Sequence, residues 1–451
     1  VLAVAERLVR TRESLQKPIS AAQTPSPIVW SEKRYPSSDL PPVEQRVLAA
    51  FRIWSAVEFF FPYKDLIGKP WEGVLSDAVP RFLDCKTRAE YSLAVGWMAA
   101  QYHDSHASIG DQKYWKALGW GNSRLPLTIR FVEGKPIVTR ILDATAKEAG
   151  VEVGDELVSR DGEDIRKRIH WMLEYVPAST PQRQYDRLAE SLTSGVAGEE
   201  ASLTLKGIVG TKQIRLKADD RFWVNAGVPR DGQIIQLLPG GIGYVDLARL
   251  AGDEARTVFS QFHDAPGIIF DMRGYPKGTV LTIVPQLAGH AVVAAMDRRP
   301  VIFPISGSPA DTSMLAESGW HQTFSTIPYS GEPVYRGKTI LLIDERAQSA
   351  AEYMGMAMKA ANGTLFVGSP TAGANGRATS MLLPGGISLG FTGEAALWPD
   401  GRQLQRIGLK PDIEVHPTIR GIREHGDEVL ERALKVFGFE ASLTGLGDAS
   451  R

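Results

Sequence analysis

Residues 339–368 read TILLIDERAQSAAEYMGMAMKAANGTLFVG, and this stretch decides the fold. An apolar run, Thr339–Ile343, has no polar alternation, as expected of a strand buried on both faces. The polar turn DERAQ follows, and from Ser349 onward the residues are helix formers up to Asn362-Gly363, a stop signal. A second apolar run, LFVG, comes next. Strand, helix and strand in that order predict a parallel pair joined by a crossover helix. Working outward, IGYVDLARL (242–250) and GIIFDMRG (267–274) are further short apolar strands, each followed by a turn or a helix. The segment from 228 to about 420 is therefore expected to form a parallel-rich sheet covered by helices. In such folds functional groups gather at the carboxyl ends of the strands. Ser349 stands where the helix begins, which exposes its hydroxyl and aims helix-start N–H groups at charge forming beside it. The same position suits a plain helix cap by Ser349 or Gln348, and the local sequence leaves both readings open.

The bulk composition limits the functional classes. The 451 residues call for two or three domains, and 51 basic against 52 acidic residues give a net charge of −1. Nothing in that balance favours a nucleic-acid partner. Cys85 is the only cysteine, which excludes an intrachain disulfide or a thiolate zinc cage. No apolar run approaches the roughly 20 residues of a membrane-spanning helix. The chain begins at Val1 within a helical phrase, VLAVAERLVRTRESLQ. A leader or upstream domain is therefore expected to have been removed, and a periplasmic or secreted location is favoured over a cytoplasmic one.

Upstream, 1–42 reads as a helical fragment followed by a Pro/Ser-rich linker, and 43–122 as a helical segment with apolar residues three and four apart. Its aromatics Trp54, Phe59, Phe60, Phe61 and Tyr63 are expected in the core. Residues 123–222 change to strand-like alternation around Gly turns: RLPLTIRFVEGKPIVTRI, then AGVEVGDELVSRDGEDI (149–165), then ASLTLKGIVGTKQIRLKA. The central phrase resembles the helix–turn–strand signature of PDZ domains, although 166–198 is longer than that family has there. The core, 223–420, and a C-terminal helix and tail, 421–451, complete the expected division.

Three more phrases carry chemistry. GIIFDMRGYPKGT ends a strand at Asp271 with a Gly-rich turn whose N–H groups could face an oxyanion. YHDSHASIG supplies Ser105 and His106; a histidine is the usual base for a serine, and a neighbouring hydroxyl can hold its ring. His103, Asp104 and His106 also permit a metal reading, but no HExxH accompanies them, and a purely structural histidine is a third reading. GRQLQRIGLKPDIEV (401–415) says nothing chemical alone. No GxSxG elbow is present.

In chain order (helical segment with Ser-His, PDZ-like module, strand–DMRG, strand–Ser–helix, then GLKPDIEV) these phrases resemble the superfamily of tail-specific (C-terminal-processing) and tricorn-core serine peptidases, over about 43–418. The resemblance implies an α/β multidomain chain: an N-terminal helical segment, a PDZ-like β-rich domain and a crotonase-like α/β catalytic domain. Ser349-Ala350-Ala351-Glu352 matches that family's Ser-Ala-Ser-Glu, which implies Ser349 as nucleophile. The backbone amides of Ala350 and of the Lys277–Gly278 turn are then implied as oxyanion donors. In the serine–lysine branch a lysine after the next strand is the base; here the phrase is GSPTAGANG, and Ala374 holds that place. The tricorn-core branch instead uses a histidine from a Ser-His pair, matched by Ser105-His106. Its supporting glutamate corresponds to Gln405, with Glu394 as a weaker candidate. The implied activity is hydrolysis of peptides or unfolded protein tails through a Ser-His acyl-enzyme, with no metal or organic cofactor. An inactive relative that binds peptides or other ligands is the alternative, and homo-oligomerisation is left open.

Overall fold

The computed structural model describes residues 35, 38–222, 230, 232–302, 318–331 and 333–439. The helix expected over 1–16, most of the linker behind it and the final tail lie outside the described residues.

Helices α1 (Val43–Phe60), α2 (Trp71–Asp84) and α3 (Arg88–Ala100) open the fold. The buried stripe of α1, Ala49, Ile53 and Val57, keeps helical spacing and continues to Phe61. Phe61 and Tyr63 are in the core as expected. Phe59 and Phe60 fall off that stripe, and at 53% and 50% exposure they correct the expectation that the whole aromatic cluster is internal. A loop then carries His106 into β1 (Ser108–Gly110).

The embedded module holds β2 (Leu127–Val132), β3 (Lys135–Ile141), α4 (Ala144–Glu148), β4 (Glu156–Arg160), α5 (Ile165–Met172), α6 (Pro181–Thr193), β5 (Glu200–Lys206) and β6 (Thr211–Lys217). Its strands form an antiparallel sheet in the order β2-β3-β4-β5-β6. The β2–β3 turn places Glu133 and Gly134 at φ 52° and 73°, the left-handed pair that a tight two-residue hairpin demands. The long stretch over 166–198 supplies α5 and α6. Helix α6 lies on edge strand β2, with Tyr185 against Phe131 at 4.8 Å between ring centres.

The remainder contains β7 (Ile235–Leu238), β8 (Ile242–Asp246), β9 (Gly267–Asp271), β10 (Val292–Ile302), β11 (Ser318–Ile327), β12 (Lys338–Ile343), α7 (Ala350–Asn362), β13 (Leu365–Gly368), β14 (Gly376–Leu383), β15 (Ile387–Leu397), β16 (Ile413–Glu414) and α8 (Glu428–Val436). The main sheet runs β7-β8-β9-β12-β13-β16 and is parallel except at β7. Period-two alternation divides β12 between two helices. Leu341 and Ile343 pack in the cluster that contains Met354 and Met358 of α7. Ile340 and Leu342 pack with Leu430 and Leu434 of α8.

A second, antiparallel sheet runs β1-β15-β10-β11, with β14 beside β15. The expected strand–helix alternation omits it, because several of its strands are partly exposed and lack the continuous apolar run of a strand buried on both faces. Strand β1 pairs with β15 across the length of the chain, Ser108 opposite Gly390. One apolar cluster accordingly joins Ile53 and Tyr91 of the opening helices, Leu127 and Leu203 of the module, and Leu389 and Phe391 of β15. No helix among the described residues is long and apolar enough to cross a membrane.

Candidate active site

Ser349 joins β12 to α7 with φ 54° and ψ −110°, a backbone state that costs a β-carbon-bearing residue about 1–3 kcal/mol. Its surroundings hold it there. The Ser349 N–H donates to the Ala374 carbonyl (2.9 Å) and to Glu352 Oε2 (3.2 Å), and its carbonyl accepts from Tyr353 N–H (2.8 Å). Glu352 is fully buried and also receives the Thr371 hydroxyl (2.5 Å) and the N–H groups of Gly373 (2.8 Å) and Ala374 (3.0 Å). Burial pushes its carboxyl up to about 7, against the pull of those hydrogen bonds. Thr371 Oγ1 in turn accepts from Leu409 N–H (2.8 Å). The GLKPD phrase, silent in the sequence, is thus tied to Ser349 through Thr371 and Glu352. Ala374 puts a buried methyl at the lysine position and serves the turn with both of its backbone polar groups.

Ala350 is the first residue of α7, so its N–H has no preceding turn to donate to. Strands β9 and β12 are neighbours in register, Asp271 opposite Leu342, so the turn holding Lys277 and Gly278 leaves the same end of the sheet as the Ser349 turn. Gly278 takes φ 76°. Asp271 is buried and anchors this region: it meets Arg230 (3.0 Å), Arg273 (2.6 Å) and the Tyr244 hydroxyl (3.0 Å). Both guanidinium groups hold its carboxyl far below the ordinary range despite burial.

His106 is largely buried in the loop after α3. Its Nδ1 lies 2.9 Å from Thr392 Oγ1. Thr392 also bonds to Asp104, hydroxyl to Oδ1 at 2.9 Å and N–H to Oδ2 at 2.6 Å, and Asp104 Oδ1 accepts the His106 backbone N–H at 3.0 Å. Burial lowers the imidazole pKa, Asp104 opposes the shift and Arg187 adds to it. His103 is pushed down to about 4, first by burial and then by Arg406 and Lys69. Asp104, part of the alternative metal reading, points into the protein. Among the described residues no three His, Cys, Asp or Glu side chains are grouped to hold a metal.

The Ser349 turn and the His106 loop meet directly. The Gln348 amide donates to the Ser105 carbonyl at 3.3 Å, and Arg187 of α6 donates to the same oxygen. Arg183 of α6 holds Gln348 Oε1 at 3.1 Å. Ser105 itself is placed differently from the expectation. Its Oγ accepts from Ser179 N–H and its N–H donates to Ser179 Oγ, both at 2.8 Å, and it is Thr392 that bonds the imidazole. Gln405 is buried and donates to Ser179 Oγ (3.1 Å), not to Ser105; its Oε1 has no hydrogen-bond partner among the described residues. Glu394 is taken up by Arg377 at 3.3 Å.

Sequence reasoning missed Thr392, Asp104 as a ring-side group, and Ser179. Thr392 sits in an unremarkable strand, and only the β1–β15 register, continued two residues beyond Ser108 and Gly390, sets it opposite His106. Glu352 was visible as the last residue of Ser349-Ala350-Ala351-Glu352, but its bracing role was not.

Residues 241–415 match the model of peptidase family S41. No curated protein matches the chain. The fold is similar to that of mature CPAF complexed with lactacystin, at TM-score 0.65 and 13% identity over 87% of this chain and 97% of that one. A second structure of mature CPAF gives TM-score 0.63 and 14% identity, covering 84% of this chain and 94% of that one. A putative peptidase from Parabacteroides merdae ATCC 43184 gives TM-score 0.54 and 13% identity, covering 90% and 98%. Ser349 lies inside the matched segment, so the part of the chain that carries it is similar to peptidase family S41, and the fold is similar to that of CPAF.

Proposed function

We propose that the chain is an endopeptidase that cleaves peptides or unfolded protein tails through an acyl-enzyme on Ser349, with His106 as general base. The observation that carries this reading is the Gln348–Ser105 hydrogen bond, which joins the residue before Ser349 to the residue before His106. In the first half-reaction Ser349 Oγ bonds to the scissile carbonyl carbon while its proton passes to His106 Nε2. The carbonyl π pair moves onto oxygen and is received by the N–H groups of Ala350 and of the Lys277–Gly278 turn. Each such donor contributes about 2.7–4 kcal/mol to transition-state stabilisation. Collapse breaks the C–N bond, and the leaving amine takes the proton from His106. Water, deprotonated by the same imidazole, then attacks the ester and frees Ser349. Ser105, Ser179 and Gln405 form one hydrogen-bonded set that fixes the main chain leading into His106.

The module over 123–222 is proposed to be PDZ-like and to present tails to this site, since α6 lies on edge strand β2 and also contacts the catalytic loops through Arg183 and Arg187. Ala374 in the lysine position favours one second reading, a binding protein that has lost catalysis. A fluorophosphonate probe separates the two. The peptidase reading expects an adduct on Ser349 that vanishes in Ser349→Ala and slows at least about 100-fold in His106→Ala. No adduct, or one indifferent to His106, favours the binding protein.

A further inference from the structure

We infer that Thr392 and Asp104 are the positioning residues for His106, forming with Ser349 an ordered line Ser349–His106–Thr392–Asp104 that fixes the tautomer of the base. The inference rests on the Ser349–His106 reading above.

The direction of each hydrogen bond follows from donor and acceptor inventories. Asp104 is completely buried, and both its oxygens already receive backbone N–H groups: Oδ1 from His106, Oδ2 from Thr392. A carboxylate so engaged only accepts, so the Thr392 hydroxyl, 2.9 Å from Oδ1, spends its single proton on Asp104. The Thr392 oxygen then has only lone pairs to offer the ring, 2.9 Å away, and Nδ1 must carry the hydrogen. That leaves Nε2 unprotonated, the form a general base requires. Asp104 Oδ1 also lies 3.9 Å from Nδ1, close enough to stabilise the imidazolium formed during attack.

The scaffold holds this line from both ends. Asp104 and His106 are in one loop, and Thr392 lies across from it on β15. The threonine's own N–H and O–H both go to Asp104: the N–H holds the residue against the carboxylate, and rotating the hydroxyl away would break its bonds to both Asp104 and the ring. The charged groups facing His106 are Asp104, from its own loop, and Arg187, from α6. The Ser105–Ser179 pair and Gln405 bond one another and not the ring, so they cannot set the tautomer.

The test compares Thr392→Val, which keeps the shape and deletes the hydroxyl, with Thr392→Ser, which restores it. The measure is the second-order rate of Ser349 modification by a fluorophosphonate as a function of pH. Thr392→Val should slow modification by about 10- to 1000-fold, and Thr392→Ser should recover to within about threefold of wild type. Asp104→Asn removes the charge that opposes the lowering of the imidazole pKa, so the acid limb of the profile should move to lower pH. Nitrogen chemical shifts of the His106 ring, assigned by loss of the signal in His106→Ala, should report hydrogen on Nδ1 in the wild type and a mixture in Thr392→Val. Wild-type rate and profile in a folded Thr392→Val, or hydrogen on Nε2 in the wild type, would overturn the inference while leaving the Ser–His reading standing. A wild-type protein whose labelling ignores His106 would overturn both.

Discussion

Glu352 shows how one buried side chain can maintain a strained backbone. Its two oxygens receive three N–H groups and one hydroxyl, and one of those N–H groups belongs to Ser349 itself. In Glu352→Gln one oxygen becomes an NH2 that faces donors, leaving buried N–H groups unsatisfied at about 1–3 kcal/mol. The expected result is a lower unfolding midpoint in urea and slower fluorophosphonate labelling of Ser349. The pH response follows from the raised carboxyl, about 7 in the folded protein against an ordinary 4.5. The folded state holds this proton more tightly than the unfolded chain. Its stabilising contribution is therefore complete below about pH 4.5 and is lost as pH rises through about 7. Denaturation at pH 5 and pH 8 should show a component of about 1–3 kcal/mol from this group that is absent in Glu352→Gln. In the proposed mechanism protonated His106 cannot accept from Ser349, so activity should fall on the acid side through a pKa below the usual histidine value, because burial lowers it.

At the scale of elements, the loop before β16 matters more than its sequence suggests. Gly408 has φ 79°, and a Cβ there would stand 2.7 Å from Thr371 Oγ1 and 2.8 Å from the Thr371 carbonyl. Gly408→Ala should therefore push on the residue that links Leu409 to Glu352. A loss of about 1–3 kcal/mol in thermal or urea unfolding is expected, with a matching fall in labelling rate. How much of this was legible depended on where partners lie in sequence. The β12–α7–β13 crossover could be read directly because apolar run, turn and helix are contiguous. Ser349 stood out at the start of that helix for the same reason, while the bracing by Glu352 did not, because its partners Thr371, Gly373 and Ala374 lie beyond the next strand. Thr392 could not, because its meaning comes from an antiparallel register set between β1 and a strand far downstream. The antiparallel strands β10, β11 and β14 were missed because they are partly exposed, and β15 because Ser, Gly, Thr and Glu interrupt it; none carries the continuous apolar signal of β9.

In the whole molecule the embedded module is clamped to the catalytic sheet. Arg130 of β2 reaches Asp344 (3.0 Å) and Glu345 (2.6 Å), the residues just after β12. Asp344 is held far below the usual carboxylate range by Arg346 and Arg130 against its burial. Arg130→Ala leaves a buried carboxylate with one fewer partner; with Arg130 partly exposed, about 1–3 kcal/mol of stability should be lost. Limited proteolysis should then cut more readily near the module boundaries, and labelling of Ser349 should slow. The pairing of β1 with β15 has a consequence for biosynthesis. His106 meets its partner Thr392 only across 286 residues of chain. At about 5–20 residues per second, the nascent chain spends roughly 15–60 s with the proposed base made but its hydrogen-bond partner not yet translated. Under the proposed mechanism, competence for hydrolysis is deferred until Thr392 has left the ribosome, a delay set by topology and needing no separate inhibitor.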